Sequence, residues 1–144
     1  MMLVVERATE DDFANVLAID AAHSSPGRAE YLTEAVKKRE CYIAREGWDV
    51  VGFVTLTRSF FDQYFIELLL VDPQQRRKGV GSALIRHIEE IIPSEKLFTS
   101  TNVSNLPMQA LCKTLGFVVS GWIDNLDEDD PEIIYFKRLI KAAP

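Results

Sequence analysis

Three β-rich runs follow one another between Cys41 and Val71: CYIARE, WDVVGFVTLTRSF and QYFIELLLV. Each is dense in β-branched and aromatic residues, and only short turn signals separate them, so they predict an antiparallel meander. Glu46 and Gly47 mark the first turn. The third run leads into DPQQRRKGVGSA, Asp72 to Ala83, and then into a segment whose apolar positions Val80, Leu84, Ile88 and Ile91 repeat at helical spacing. A strand thus runs into three consecutive cations, two glycines and a helix.

The flanks extend this pattern. LVVERA, Leu3 to Ala8, predicts a short strand, and Thr9 before EDDFANVLAID supplies a helix N-cap with acids in the first turn. Phe13, Val16, Leu17 and Asp20 keep helical spacing, HSSPGR from His23 to Arg28 is a loop by composition, and AEYLTEAVKKR predicts a second helix ending in basic residues. Pro93 should end the third helix. LFTSTNV predicts a strand, and NLPMQALCKTLG a helix with Met108, Leu111, Cys112 and Leu115 on one face and Gly116 at its C-terminal end. FVVSGWI and EIIYFKRL are the last two predicted strands. No repeat or low-complexity linker intervenes, so residues 1–144 are expected to form a single α/β domain: a mixed, mostly antiparallel sheet of about seven strands flanked by about four helices.

Composition excludes several classes. No apolar run approaches the roughly 20 residues that span a bilayer, and the N-terminus lacks a signal-peptide pattern, so a cytoplasmic protein without a membrane segment is expected. Cys41 and Cys112 are far apart and match no metal or redox spacing, so reduced thiols and no metal are expected. Net charge is -6, but six of the 22 acids lie in DNLDEDDPE, Asp124 to Glu132, leaving 16 acids against 16 Lys plus Arg elsewhere. That balance argues against a nucleic-acid binder.

The glycine loop has a chemical logic. Backbone N–H groups at a helix start, backed by the helix dipole, form a site for an anion such as phosphate. Gly79 and Gly81 permit close approach and unusual φ values, while Arg76, Arg77 and Lys78 add positive charge. A phosphate-bearing cofactor is the expected ligand; a solvated basic turn is the alternative. The stretch lacks the GxxxxGK-Ser/Thr pattern of a P-loop, and Leu84 stands where a Rossmann fingerprint needs its third glycine.

VDPQQRRKGVGSALI resembles the acyl-CoA-binding motif of the GNAT superfamily of N-acetyltransferases, whose core is Gln or Arg, two residues, Gly, one residue, then Gly or Ala. Arg76, Gly79 and Gly81 match it. NVSNLPMQALCKTLGF is similar to the family's second motif, with Asn102, Asn105, Leu115, Gly116 and Phe117 at matching places. The resemblance implies a GNAT-like fold with acetyl-CoA as co-substrate. It also implies that FIELLLV is the central strand, splayed at its C-terminal end from the strand beginning near Leu97, with the pantetheine arm between them. The backbone of Leu69, Leu70 and Val71 would pair with that arm. The N–H groups of Arg76, Arg77, Lys78, Gly79, Val80, Gly81 and Ser82 would hold the pyrophosphate, and Asn102 and Asn105 would contribute to the cofactor site.

Acetyl transfer needs a neutral amine, whereas a lysine-type amine has a reference pKa near 10.4. Glu67, sharing side-chain parity with Leu69 and Val71, could accept the proton directly or through water; a solvated or arginine-paired glutamate is the alternative. By the resemblance, a strand amide near Leu70 would stabilise the oxyanion. The family commonly has a tyrosine general acid four residues before the Gly of Leu-Gly-Phe. Cys112 stands there, open to three roles: core packing, general acid or acyl-cysteine nucleophile. Tyr135 and His23 are lesser candidates for proton transfer. SFFDQYF is expected to close a hairpin by aromatic packing, or to line the acceptor entrance, with His23 to Arg28 as the opposite lip.

The expected activity is therefore transfer of an acetyl group from acetyl-CoA to a primary amine of a small molecule or peptide, by direct attack in a ternary complex. A noncatalytic acyl-CoA sensor and a phosphate-binding regulatory domain stay open. Partners are a small-molecule or peptide amine acceptor, with no nucleic acid and no membrane, and the chain is compatible with a homodimer. The acidic Asp124 to Glu132 segment is either a solvated loop or an attractor of a cationic acceptor.

Overall fold

The computed structural model describes residues 2–20, 25–76 and 78–141. Seven strands form a sheet in the order β1-β2-β3-β4-β5-β7-β6, and four α-helices accompany it. The chain divides into two compact units, Met1–Leu56 with Leu68–Glu90, and Thr57–Glu67 with Ile91–Pro144. Strands β3 (Asp49–Phe60) and β4 (Gln63–Val71) each contribute residues to both.

In the first unit, β1 (Leu3–Arg7) pairs antiparallel with β2 (Cys41–Glu46), which pairs antiparallel with β3. The expected meander is present, and Gly47 makes the β2–β3 turn at φ 61. Helices α1 (Phe13–Asp20) and α2 (Arg28–Lys37) send Val16, Leu32 and Val36 into a core with Cys41, Ile43 and Phe53. Thr9 works with Asp12, whose carboxylate accepts the Thr9 N–H at 2.8 Å and also takes a hydrogen bond from Arg45. Reciprocal capping of this kind satisfies donors that a helix start leaves without partners. Asp20 is buried and holds Arg28 at 2.7 Å, joining the end of α1 to the start of α2. Helix α3 (Val80–Ile91) buries Val80, Leu84, Ile85 and Ile88, and stops before Pro93 as expected.

In the second unit, β4 runs parallel to β5 (Lys96–Asn102) through the pairs Phe65↔Phe98 and Ile66↔Thr99. β7 (Glu132–Arg138) lies antiparallel between β5 and β6 (Val118–Ile123). One face carries the ring cluster Phe60, Phe65, Phe98 and Phe136, with centroids 4.7 to 5.5 Å apart. The other carries Ile66, Leu97, Thr99, Ile133 and Tyr135, and Thr99 Oγ1 donates to Ile66 O at 3.0 Å. Helix α4 (Leu106–Thr114) belongs to this second face, where Lys137 Nζ stands 5.9 Å from the centre of the Phe117 ring. The helix closes on Gly116 at φ 90, a left-handed position that favours glycine. At the β3–β4 tip, Phe61 and Asp62 both take positive φ, 51 and 61, which fits the right-handed twist of a two-residue hairpin.

No helix among the described residues is long and apolar enough to cross a membrane.

Candidate active site

The first unit presents the strand-to-loop-to-helix passage. β4 ends at Val71, where the Asp72 N–H donates to Val51 O at 2.8 Å and fixes the strand end to β3. The Asp72 carboxylate then accepts the Gln74 N–H at 3.0 Å, shaping a short 3-10 turn over Pro73–Gln75. Gly79 has φ 80, and a Cβ there would meet nothing within 4 Å among the described residues: the left-handed backbone selects glycine. Gly81 instead lies inside the first turn of α3. The first helical hydrogen bond runs from Ala83 N–H to Gly79 O at 3.0 Å. The amides of Val80, Gly81 and Ser82 precede it at the open start of the helix, the arrangement that suits an anion. Arg76 and Lys78 are exposed beside it, and Lys78 Nζ reaches Gln75 Oε1 at 2.9 Å. Arg77 lies outside the described residues, as does His23.

Gly52 is the residue that sequence analysis passed over. A Cβ on it would sit 2.8 Å from Val80 Cγ1, 3.0 Å from Leu70 O and 3.3 Å from Leu84 Cδ1. Helix α3 can therefore begin against β3, beside the carbonyl of Leu70, only because position 52 carries no side chain. A lone glycine inside the β-branched run VVGFV was the available signal, since glycine within a strand often marks a close approach.

In the second unit, Glu67 is exposed and follows the last β4–β5 pair. By strand alternation it shares the Phe65 face, whereas Cys112 belongs to the α4 face with Tyr135. The two residues expected to transfer protons thus lie on opposite faces of the sheet. Cys112 is 0% exposed, and burial pushes its thiol up to about 12. Burial, and then the neighbouring Cys112, raise the Tyr135 hydroxyl above its usual range. Asn105 caps α4, its Oδ1 accepting the Met108 N–H at 3.2 Å. Asn102 Nδ2 donates to Asp127 Oδ2 at 2.8 Å and to the Asp130 carbonyl at 3.2 Å. Ser104 donates to Asp130 through both its N–H, 3.0 Å, and its Oγ, 2.7 Å. Part of the acidic segment is therefore fastened to the β5–α4 corner. Among the described residues no cluster of His, Cys, Asp or Glu could hold a metal.

A strand delivering into a left-handed glycine and an open helix start, in a mixed seven-stranded sheet, is the architecture of an acyl-CoA-dependent transferase. The chain belongs to the acetyltransferase (GNAT) family, whose model matches residues 7–117. It is an acyltransferase, and its co-substrate is acetyl-CoA. It is similar to the peptidyl-lysine N-acetyltransferase YjaB of Salmonella typhimurium strain LT2, at 29% identity over 145 residues covering 91% of this chain and 95% of that protein. The YjaB of Escherichia coli K12 is also 29% identical, over 91% of this chain and 94% of the relative. A GNAT-family acetyltransferase crystal structure from Bacillus cereus ATCC 10987 superimposes with a TM-score of 0.92 at 35% identity, over 98% of this chain and 100% of that one.

Proposed function

We propose that this chain acts as a single-domain, cytoplasmic enzyme that acetylates the lysine side chain of a peptide or protein, with the amine attacking directly in a ternary complex. The observation that carries the acceptor class is the name of the two curated relatives, peptidyl-lysine N-acetyltransferase, matched over nine-tenths of this chain. The residues fit the donor: the space beside Gly79 and the amides of Val80, Gly81 and Ser82 suit a pyrophosphate.

Acetyl-CoA supplies an activated thioester when bound. In this proposal Arg76, Arg77 and Lys78 add charge for its phosphates, the backbone of Leu69, Leu70 and Val71 orients it, and Asn102 and Asn105 provide further contacts. Exposed Glu67 takes a proton from the acceptor ammonium, directly or through water. The Leu70 amide serves the developing oxyanion. Cys112 packs, because a sealed thiol raised to about 12 is a poor nucleophile at neutral pH.

That same sealed thiol, at a position where the family pattern has tyrosine, favours one second reading, a noncatalytic acyl-CoA sensor. The two separate in one assay. CoA release is followed with a lysine-containing peptide, the same peptide with acetylated lysine, a free peptide N-terminus, a polyamine and an aminoglycoside. Turnover confined to the free lysine peptide supports the proposal. Acetyl-CoA binding without release for every amine supports the sensor, and turnover only with a small amine overturns the acceptor class.

A further inference from the structure

Strand β6 stands at the end of the strand order and exposes apolar side chains on both faces. Val118 is 59% exposed, Val119 52%, Trp122 60% and Ile123 38%, and Leu126 just beyond is 62% exposed. The pairing with β7 slips between Val119 and Gly121, so Ser120 is an extra residue. The slip puts Val119 and Trp122 together on the Tyr135–Ile133 face, and Val118 and Ile123 on the Phe136–Glu132 face. VVSGWI contains no charge and no proline, the usual guards of an outer strand. By contrast β1 carries Glu6 and Arg7, and Glu6 is paired with Arg45 at 2.5 Å.

Charge is distributed unequally along β6. Its start follows Lys113 of α4, and Val118 pairs with Phe136, two residues from Arg138, which is 61% exposed and forms a loose 3.8 Å ion pair with the equally exposed Glu95, so that Lys113 supplies the unbalanced positive charge at this end. Its end pairs with Glu132 and continues into Asp124, Glu128 and Asp129. We propose that β6 is the interface through which two copies of this chain associate about a two-fold axis, with the two β6 strands antiparallel. That orientation sets the cationic start of each strand against the acidic end of its partner, and brings Val119 and Trp122 of both copies together. A parallel apposition would oppose like charges. A two-fold contact uses the same patch on both copies, and an uncharged strand with opposite charge at its ends is self-complementary only in this sense. The extra residue Ser120 interrupts continuous backbone pairing, so side-chain burial drives the association, with Trp122 as its anchor. A stable interface buries roughly 1,200 Å² or more in total, so the charged flanks must join the apolar strand. The inference is independent of the acceptor class.

Sedimentation velocity over about 1 to 100 µM protein should show a dimer that dissociates on dilution and weakens with salt. Trp122→Arg and Val119→Lys, with circular dichroism unchanged, should be monomeric throughout. Lys113→Glu with Arg138→Glu should weaken self-association, and mixing that protein with one carrying Glu128→Lys and Asp129→Lys should restore a mixed dimer. Trp48→Phe leaves Trp122 as the sole tryptophan, and its emission should move to the blue as protein is concentrated. This last measurement needs no interface substitution. A native chain that stays monomeric, a Trp122 emission independent of concentration, or a dimer indifferent to Trp122→Arg would overturn the proposal.

Discussion

Gly52 and Val80 meet so closely that a single added methyl at position 52 would overlap Val80 Cγ1 at 2.8 Å. The start of α3, and with it the amides of Val80, Gly81 and Ser82, is thereby set against β3. Gly52→Ala should displace the helix start and lower acetyl-CoA affinity about tenfold, with a stability loss in the 1–3 kcal/mol range typical of overpacking. Titration calorimetry and thermal melts read the two effects separately. Unchanged affinity in a folded Gly52→Ala protein would mean that α3 tolerates the shift.

Gly79 should be sensitive for a different reason. Its φ of 80 costs a residue with a Cβ about 1–2 kcal/mol, while asparagine tolerates the left-handed region better than alanine. Acetyl-CoA affinity is expected to fall in the order Gly79, Gly79→Asn, Gly79→Ala, although space beside the residue is open. An alanine variant that binds as well as asparagine would overturn the argument from backbone conformation.

Glu67→Gln is expected to lower kcat by about a hundredfold, with little change in KM for acetyl-CoA. Steady-state kinetics on the lysine peptide make the check, and an unaltered kcat would transfer proton acceptance to water or another group.

Cys112 and Cys41 make an alkaline prediction. Burial is the main force lifting both thiols from 9.0 to about 12, and Asp12 adds to the shift at Cys41. The folded state keeps these protons in a window where the unfolded chain releases them. Their contribution is thus fully present below about pH 9 and is lost as pH rises toward 12, at about 1.4 kcal/mol per pH unit for each thiol. Cys112→Ala should flatten this slope in urea titrations, retain acetyl transfer, and leave no labelled acyl-protein adduct to be trapped. Cys112→Tyr must overfill a fully buried site and should melt earlier than the alanine variant.

Two parts of the acidic loop should respond differently. Asp130 receives two hydrogen bonds from Ser104, so Asp130→Ala should loosen the β5–α4 corner and cost about 1–2 kcal/mol. Glu128→Gln with Asp129→Asn should instead raise KM for a cationic peptide, and only at low salt. Identical acceptor kinetics across a salt series would remove that pair from acceptor attraction and leave it only its place at the flank of β6.

Much of this was legible in the chain. Local periodicity located all eleven helices and strands, because apolar alternation, Pro93 and Gly116 act within a few residues. The family motif pointed to Gly79 for the same reason. What escaped depends on partners distant in sequence. β7 lies between β5 and β6, the extra residue at Ser120 turns Val119 and Trp122 to one face, and Gly52 matters through a helix nearly thirty residues later. The tether from Asp130 to Ser104 likewise joins residues 26 apart, so composition alone left the loop as either solvated or an attractor of cations and did not reveal its attachment.

The β3–β4 tip has a consequence for protein engineering. Phe61, 84% exposed, and Asp62 occupy left-handed positions that Asn-Gly would fill with less strain. Replacing the pair should release about 1–2 kcal/mol, less what is lost with the edge-on contact of Phe61 against Phe60 at 5.0 Å. That reserve could be used to offset destabilising changes elsewhere, so a library seeking new acceptor specificity would start best from a chain with this tip already relaxed.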